Sequence, residues 1–381
     1  MQTTLLGSLT AAQFMRRHWQ KKLRLIRQAL PGFEGIVTRK ELFALAARDD
    51  VESRLVVREG GSRGGGWSLR QGPFRAADFR ALPASGWTLL VQGADLHLDA
   101  ASTLMRQFDF IPFARLDDLM ISYAVPGGGV GPHFDSYDVF LLQGPGRRRW
   151  RTSAQRDLSL RPGLPLKILR RFAADDDWVL EPGDMLYLPP AIAHDGVALS
   201  ECMTYSIGFR APAASELVGE FLHFLPDVLD VPEERYADPD LLPTATPARI
   251  DNRLQRRIGT MLKSIRWDAA LVARFAGCVL SEPKPSVFFE APGHPLRRAE
   301  FARRIARADH GGVRLDRRSR LLYDATHLYL NGSIMAPIAG HSTLVALADR
   351  RCLPAATPLS KPVIDLLFDA YSSGALHVGA T

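Results

Sequence analysis

His133 and Asp135 stand two residues apart at the end of a glycine-rich run, Gly127-Gly128-Gly129-Val130-Gly131-Pro132-His133-Phe134-Asp135. In an extended chain residues i and i+2 point to the same side, so this spacing sets an imidazole and a carboxylate next to each other. Both are ligands for a divalent transition metal. A third is offered by His194, which follows Glu181-Pro182-Gly183-Asp184 and Pro189-Pro190, a β-turn-β segment that would return a later strand toward the first. Two histidines and one carboxylate on one face of an octahedron leave three positions open, the arrangement of non-haem Fe(II) oxygenases. Two open positions chelate a 2-oxo acid and the third takes O2. Alone, His194 reads as a loop histidine and the His133/Asp135 pair as a polar turn; the three together carry the signal.

A second group is Gly146-Arg147-Arg148-Arg149-Trp150. On a strand, Arg148 and Trp150 face one way while Arg147, Arg149 and Arg151 face the other, so only Arg148 among the first three can point inward beside the tryptophan. A buried guanidinium requires an anion, and a 2-oxo diacid held through its 2-oxo end leaves its far carboxylate seeking a two-pronged donor. Arg148 is therefore the expected co-substrate anchor, the alternative being three solvated arginines on an edge strand. His97-Leu98-Asp99 repeats the His-x-Asp spacing, but Asp99 precedes Ala100-Ala101-Ser102-Thr103-Leu104-Met105 and reads as a helix N-cap.

The elements needed to position these groups are legible as short β-type runs at residues 87–92, 119–125, 139–143, 147–152, 178–180, 185–188 and 204–209. Gly144-Pro145-Gly146 and Pro182-Gly183-Asp184 supply turns between them. Such spacing describes a barrel or sandwich, and with the metal pattern it agrees with a double-stranded β-helix. From Ser215 the texture becomes helical. Thr246-Pro247 reads as a helix start, with Ile250, Leu254, Ile258, Met261, Leu262 and Ile265 recurring at helical intervals, and Asp268 as the cap of a second helix. So apolar a stripe needs a partner surface, either the barrel or a second copy of the chain, and the second is preferred. After Ser281-Glu282-Pro283-Lys284-Pro285, a basic helix at 296–308, a hairpin turning at Asn331-Gly332 and a last helix at 360–373 outline a winged-helix-like unit. The expected domains are 1–213, 214–281 and 282–381.

Composition narrows the class further. With 381 residues the chain exceeds what one core ordinarily organises, and 46% hydrophobic against 23% charged residues describes a folding chain. No run approaches the ~20 apolar residues of a membrane helix, and no basic leader precedes the first apolar run, so a cytoplasmic, non-membrane protein is expected. Cys202, Cys278 and Cys352 make no CxxC pair and are expected to be buried thiols. The net charge of +7 rests on forty-one arginines against seven lysines, in no long run, so it argues only mildly for a polyanionic partner and leaves direct nucleic-acid binding open.

The stretch from Asp117 to Trp150, then 181–194, then Thr204-Tyr205-Ser206-Ile207-Gly208-Phe209-Arg210-Ala211-Pro212, resembles the bacterial JmjC-type cupin oxygenases that hydroxylate an arginine of a large-subunit ribosomal protein. Arg17-His18-Trp19-Gln20-Lys21, residues 50–56 and Gly72-Pro73-Phe74 extend the resemblance over most of 15–215. It implies a JmjC barrel, a helical dimerisation region and a winged-helix-like C-terminal domain in a homodimer. It further implies Fe(II) on His133, Asp135 and His194, 2-oxoglutarate on Arg148, O2 as oxidant, and the sixteenth protein of the large ribosomal subunit as substrate. Asp118 and Tyr137 flank the ligand strands and are the candidates to receive an arginine side chain; Asp118 or its neighbour Asp117 could equally end a strand, and Tyr137 could be a core ring. The rival readings are a ligand-sensing cupin regulator with a DNA-binding C-terminal domain and a metal-dependent sugar-phosphate isomerase, neither of which consumes a 2-oxo acid.

Overall fold

Leu119, Ile121 and Tyr123 alternate with Asp118, Met120 and Ser122 along one strand, and this period of two sends apolar and polar residues to opposite faces of a sheet. The same alternation sorts Met203, Tyr205, Ile207 and Phe209 from Thr204, Ser206 and Gly208 on the neighbouring strand. Both faces are covered. The apolar set joins Phe14, Leu42, Leu45 and Phe108 in one large core, while the polar and small residues face a second, smaller sheet. The computed structural model describes residues 5–58, 66–229, 235–307 and 311–379, which divide into two units, Met1–Ala211 and Pro212–Thr381.

The first unit carries eleven described strands: β1 (Arg24–Ile26), β2 (Ser53–Arg58), β3 (Trp67–Gln71), β4 (Trp87–Val91), β5 (Leu116–Ala124), β6 (Val139–Gln143), β7 (Arg148–Ser153), β8 (Asp176–Leu180), β9 (Met185–Leu188), β10 (Ala193–Ala198) and β11 (Cys202–Phe209). The larger sheet runs β1-β9-β6-β11-β5-β4-β2-β3 and the smaller β10-β7-β8, with every pairing antiparallel. Val139, Leu141, Trp150, Leu180, Leu186 and Leu188 form an apolar cluster of their own, drawn from β6 and β9 of the larger sheet and β7 and β8 of the smaller. Two antiparallel sheets sharing such a cluster make the double-stranded β-helix barrel expected from the sequence. Helices α1 (Ala11–Arg17), α2 (Arg39–Leu45), α3 (Ala76–Arg80) and α4 (Asp99–Met105) belong to the same unit. α1 begins at a reciprocal cap: Gln13 N–H donates to Thr10 Oγ1 at 3.2 Å and Thr10 N–H to Gln13 Oε1 at 3.0 Å. The expected cap at Asp99 is shifted by one residue. Asp99 is the first helical residue and Leu98 holds the N-cap position, so the carboxylate lies in the first turn, where the helix dipole favours it.

The second unit contains α5 (Ala214–Val228), α6 (Asn252–Ser264), α7 (Ala269–Ser281), α8 (Arg298–Ile305), α9 (Ser342–Arg350) and α10 (Lys361–Ser372). Its two small sheets are β16-β12-β17 and β13-β14-β15, built from β12 (Val313–Leu315), β13 (Leu321–Tyr323), β14 (His327–Leu330), β15 (Ser333–Pro337), β16 (Cys352–Leu353) and β17 (Leu376–Val378). Asn331 and Gly332 take φ of +50° and +89° between β14 and β15, as a type I′ turn demands. α7 packs on this hairpin so closely that a Cβ at Gly277 would lie 2.2 Å from the Tyr329 ring. Asp268 caps α7 through Leu271 N–H at 2.8 Å. α6, by contrast, starts at Asp251, whose carboxylate accepts from Arg253 N–H at 2.9 Å, and Thr246 is instead engaged with Thr244. Ile250 consequently precedes the helix. Ala308, the last residue of the expected basic helix, lies outside the described residues. Of the cysteines only Cys202 is buried; Cys278 is half-buried and Cys352 exposed, because it sits on the two-residue edge strand β16. No helix among the described residues is long and apolar enough to cross a membrane.

Candidate metal centre and co-substrate pocket

His194 is the second residue of β10, buried, opposite Thr152 of β7. His133 is not in a regular strand, as its spacing to Asp135 suggested, but the glycine-rich segment before it runs beside β10 as an irregular extra edge. Gly127 N–H donates to Ala198 O at 2.8 Å, and His133 and His194 exchange both backbone bonds, at 2.9 and 2.7 Å. That exchange brings their rings to 4.2 Å between centroids. Ala191 N–H then holds Asp135 O at 2.8 Å, and the Asp135 carboxylate lies 3.6 Å from His194 Nε2. One ligand atom from each of His133, Asp135 and His194 falls within 4.8 Å of the others, and among the described residues this is the only such group.

Protonation in this cluster suits a cation. His133 Nδ1 is 2.8 Å from Gly131 O and His194 Nδ1 is 2.9 Å from Ile192 O; a carbonyl only accepts, so each Nδ1 carries a hydrogen and Nε2 is the nitrogen left to face a metal. Burial first, then the adjacent His133 imidazole, lowers the His194 pKa, against the opposing pull of Asp135. A neutral imidazole is the form that binds a metal.

Strand parity separates the arginines as the sequence suggested. Arg148 is buried at 5% exposure, whereas Arg147 and Arg149 are exposed and Arg149 is neutralised by Asp177. Arg148 Nη1 donates to Ser122 Oγ at 3.2 Å, but its Nε and Nη2 are buried without a partner. So is the Nε1 of Trp150, the next inward residue of β7. Buried donors of a guanidinium are rarely left unmade, so this pocket is shaped for an acceptor, and a carboxylate matches the fork. A Cβ at Gly196, opposite Trp150 across β10 and β7, would sit 2.6 Å from the indole, which explains a glycine two residues beyond His194.

Asp118 is a buried interior residue of β5, not a strand-end residue, and accepts from Gly93 N–H at 3.2 Å. Tyr137 is 39% exposed in the bend before β6 and is therefore not a core ring. Desolvation, then the charges of Asp135, Asp118 and Asp117, push its phenol pKa up, so it remains a neutral hydroxyl. A Cβ on Gly208 would meet Asp118 Oδ1 at 3.5 Å and Tyr137 Cε2 at 3.9 Å, so the glycine lies between the two side chains. Next to Tyr137, the buried Asp138 accepts from Tyr187 Oη at 2.6 Å and Gln20 Nε2 at 2.9 Å, which ties the bend to the N-terminal segment. His97 stands elsewhere, 3.4 Å from Arg48 Nη2. Ser122, Trp150 as a donor and Gly208 were not singled out from sequence, although Ser122 shares strand parity with Asp118.

Comparison with known proteins agrees with this construction. Residues 103–217 match the JmjC domain and residues 264–377 the ROXA-like winged helix. The ribosomal protein uL16 3-hydroxylase of Escherichia coli is 41% identical over 295 residues, covering 77% of each chain. A probable ribosomal oxygenase of Haemophilus influenzae is 38% identical over 58% of this chain and 55% of its own. The solved structure of the Escherichia coli ribosomal oxygenase YcfD with cobalt and 2-oxoglutarate superposes with a TM-score of 0.81 at 32% identity, over 98% of this chain and 99% of that one. With barrel, winged helix and site geometry all in agreement, the chain belongs to the JmjC-type ribosomal oxygenases.

Proposed function

We propose that this oxygenase binds Fe(II) through His133, Asp135 and His194, anchors the distal carboxylate of 2-oxoglutarate on Arg148, and hydroxylates an arginine side chain of the ribosomal protein uL16. The observation that carries the reading is the buried Arg148 with two orphaned donors, on the strand that pairs with the His194 strand of the three-residue cluster. A sensor or isomerase barrel has no use for both. When bound, the metal, co-substrate and O2 supply oxidative decarboxylation of the 2-oxo acid to succinate and CO2, with one oxygen atom entering a substrate C–H bond.

The chain's own residues do the positioning. The Gly131 and Ile192 carbonyls fix which imidazole nitrogen faces the metal. Ser122 and Arg148 together orient the co-substrate, and the apolar cluster around Trp150 and Leu186 keeps water from its length. Asp118 receives the substrate guanidinium and the neutral Tyr137 packs against its stem; the negative field of Asp117, Asp118 and Asp135 favours a cationic side chain over a neutral one. For the chain as a whole we propose a cytoplasmic homodimer, with residues 1–213 catalytic, 214–281 dimerising and 282–381 a winged-helix-like unit. Incubation with uL16, Fe(II) and 2-oxoglutarate should add one oxygen to one arginine, read by tandem mass spectrometry with stoichiometric succinate. Succinate without any modified residue, or modification of a residue other than arginine, would overturn the substrate assignment.

A further inference from the structure

The face of the small sheet turned away from the metal pocket carries a second cleft, of about 380 Å³. Asp195 follows the ligand His194, and Arg151 follows the inward Trp150, so alternation sends both to this opposite face, where they stand as direct cross-strand partners and pair at 2.5 Å. Arg58, Arg161 and Arg170 also line the cleft. Four arginines thus face one aspartate, and among the described residues the only ion pair in the cleft is that of Arg151 with Asp195. Among the described residues Arg58, Arg161 and Arg170 have no paired carboxylate, Arg170 only feeling the surface Asp157 at longer range.

Two features show that this is a built surface. Arg161 and Arg170 are presented by a hairpin of backbone hydrogen bonds, Arg161 N–H to Ile168 O and Arg170 N–H to Ser159 O, both 2.8 Å, which is fastened to the glycine-rich segment by Leu169 N–H to Pro132 O at 2.8 Å. Gly131 lets Trp67 and Ile168 pack directly on this segment, since a Cβ there would lie 2.8 and 2.7 Å from them, which fixes the Trp67 ring at the cleft. Trp67 and Phe172 line it as partly exposed rings, with the guanidinium of Arg58 5.8 Å from the first ring centre and that of Arg151 5.7 Å from the second. Guanidiniums in excess of carboxylates, interleaved with aromatic rings, are the chemistry that receives phosphates and stacked bases together.

We propose that this cleft binds a single-stranded segment of RNA, so that the enzyme holds RNA on one face of the small sheet while the metal pocket on the other face takes the protein side chain. The inference rests on the ribosomal-substrate reading only for its choice of RNA among polyanions; an acidic peptide would use the charges and leave the rings idle. The test is fluorescence anisotropy of a short labelled single-stranded RNA with the full chain, at several salt concentrations. Arg161→Ala combined with Arg170→Ala should weaken binding at least about tenfold and reduce the salt slope by about 1.4, at about 0.7 for each of two lost phosphate contacts. Arg16→Ala with Arg17→Ala, on the exposed end of α1, should bind as wild type, and both double variants should keep full succinate formation. Equal binding by the cleft variant and wild type, equal weakening by the α1 variant, or competition by polyglutamate as effective as by unlabelled RNA would each overturn the proposal. Because binding is read without turnover, a wild type that binds RNA in this way but does not modify uL16 would sink only the substrate assignment.

Discussion

Arg148 makes physical sense only as half of a pair. Burying a guanidinium with two unmade donors costs more than its bond to Ser122 returns, and the anion proposed above would make good the difference. Arg148→Ala should therefore raise the KM for 2-oxoglutarate in a succinate assay roughly ten- to a hundred-fold, since a lost charged hydrogen-bond partner costs about 1.5–3 kcal/mol. Arg147→Ala and Arg149→Ala should change it little, because those side chains are solvated or already paired with Asp177. Equal effects at all three would show that strand parity does not govern this site. Alanine at His133, Asp135 or His194 should abolish turnover with added Fe(II) while the protein stays folded, and His97→Ala should leave it intact. Near-normal turnover in any one of the three would remove that residue from the metal set. The clustering of the three side chains and the burial of Arg148 were legible because the His-x-Asp spacing and strand parity leave a mark in sequence. Ser122 was not, since a serine on a strand has many ordinary uses and only its bond to Arg148 distinguishes it.

At the scale of elements, seven strands of the first unit were legible to within a few residues, and those that are short, interrupted by charge or poor in strand-forming residues were not. β10 reads Ala-His-Asp-Gly-Val-Ala, a poor strand by propensity, and forms because β7 and the glycine-rich segment pair with it on its two edges. β1, β2 and β3 extend the large sheet at both edges and give no clear signal, being short or interrupted by arginines. The start of α6 was misplaced for a different reason: Thr246-Pro247 satisfies the general pattern for a helix start, but Asp251, nearer the apolar stripe, makes the capping bond. Asp251→Ala should accordingly weaken α6 by about 0.5–2 kcal/mol, seen as faster amide exchange over Asn252–Ser264, whereas Thr246→Ala should leave that exchange unchanged. The reverse result would restore Thr246 as the cap.

At the scale of the whole molecule, the apolar stripe of α6 is the feature that the single chain leaves unexplained. Ile258, Met261 and Leu262 are 44%, 41% and 62% exposed, on a helix whose other faces are charged, and nearby Trp267 and Val272 are exposed as well. A monomeric protein seldom leaves large apolar side chains such as Ile258, Leu262, Trp267 and Val272 so exposed, and a second copy of the same surface would cover them at a twofold axis. Leu254→Asp with Ile258→Asp should then convert a dimer to a monomer in sedimentation, and a wild-type protein that is monomeric at micromolar concentration would dispose of the idea. The catalytic consequence separates two roles for the pairing. If dimerisation serves to present the ribosomal protein, the double variant should keep 2-oxoglutarate turnover uncoupled from substrate while losing most hydroxylation of uL16. Loss of both activities in a folded monomer would mean instead that the paired helices brace the metal site, since the ligands and Arg148 all belong to the first unit and would have to feel the partner through it.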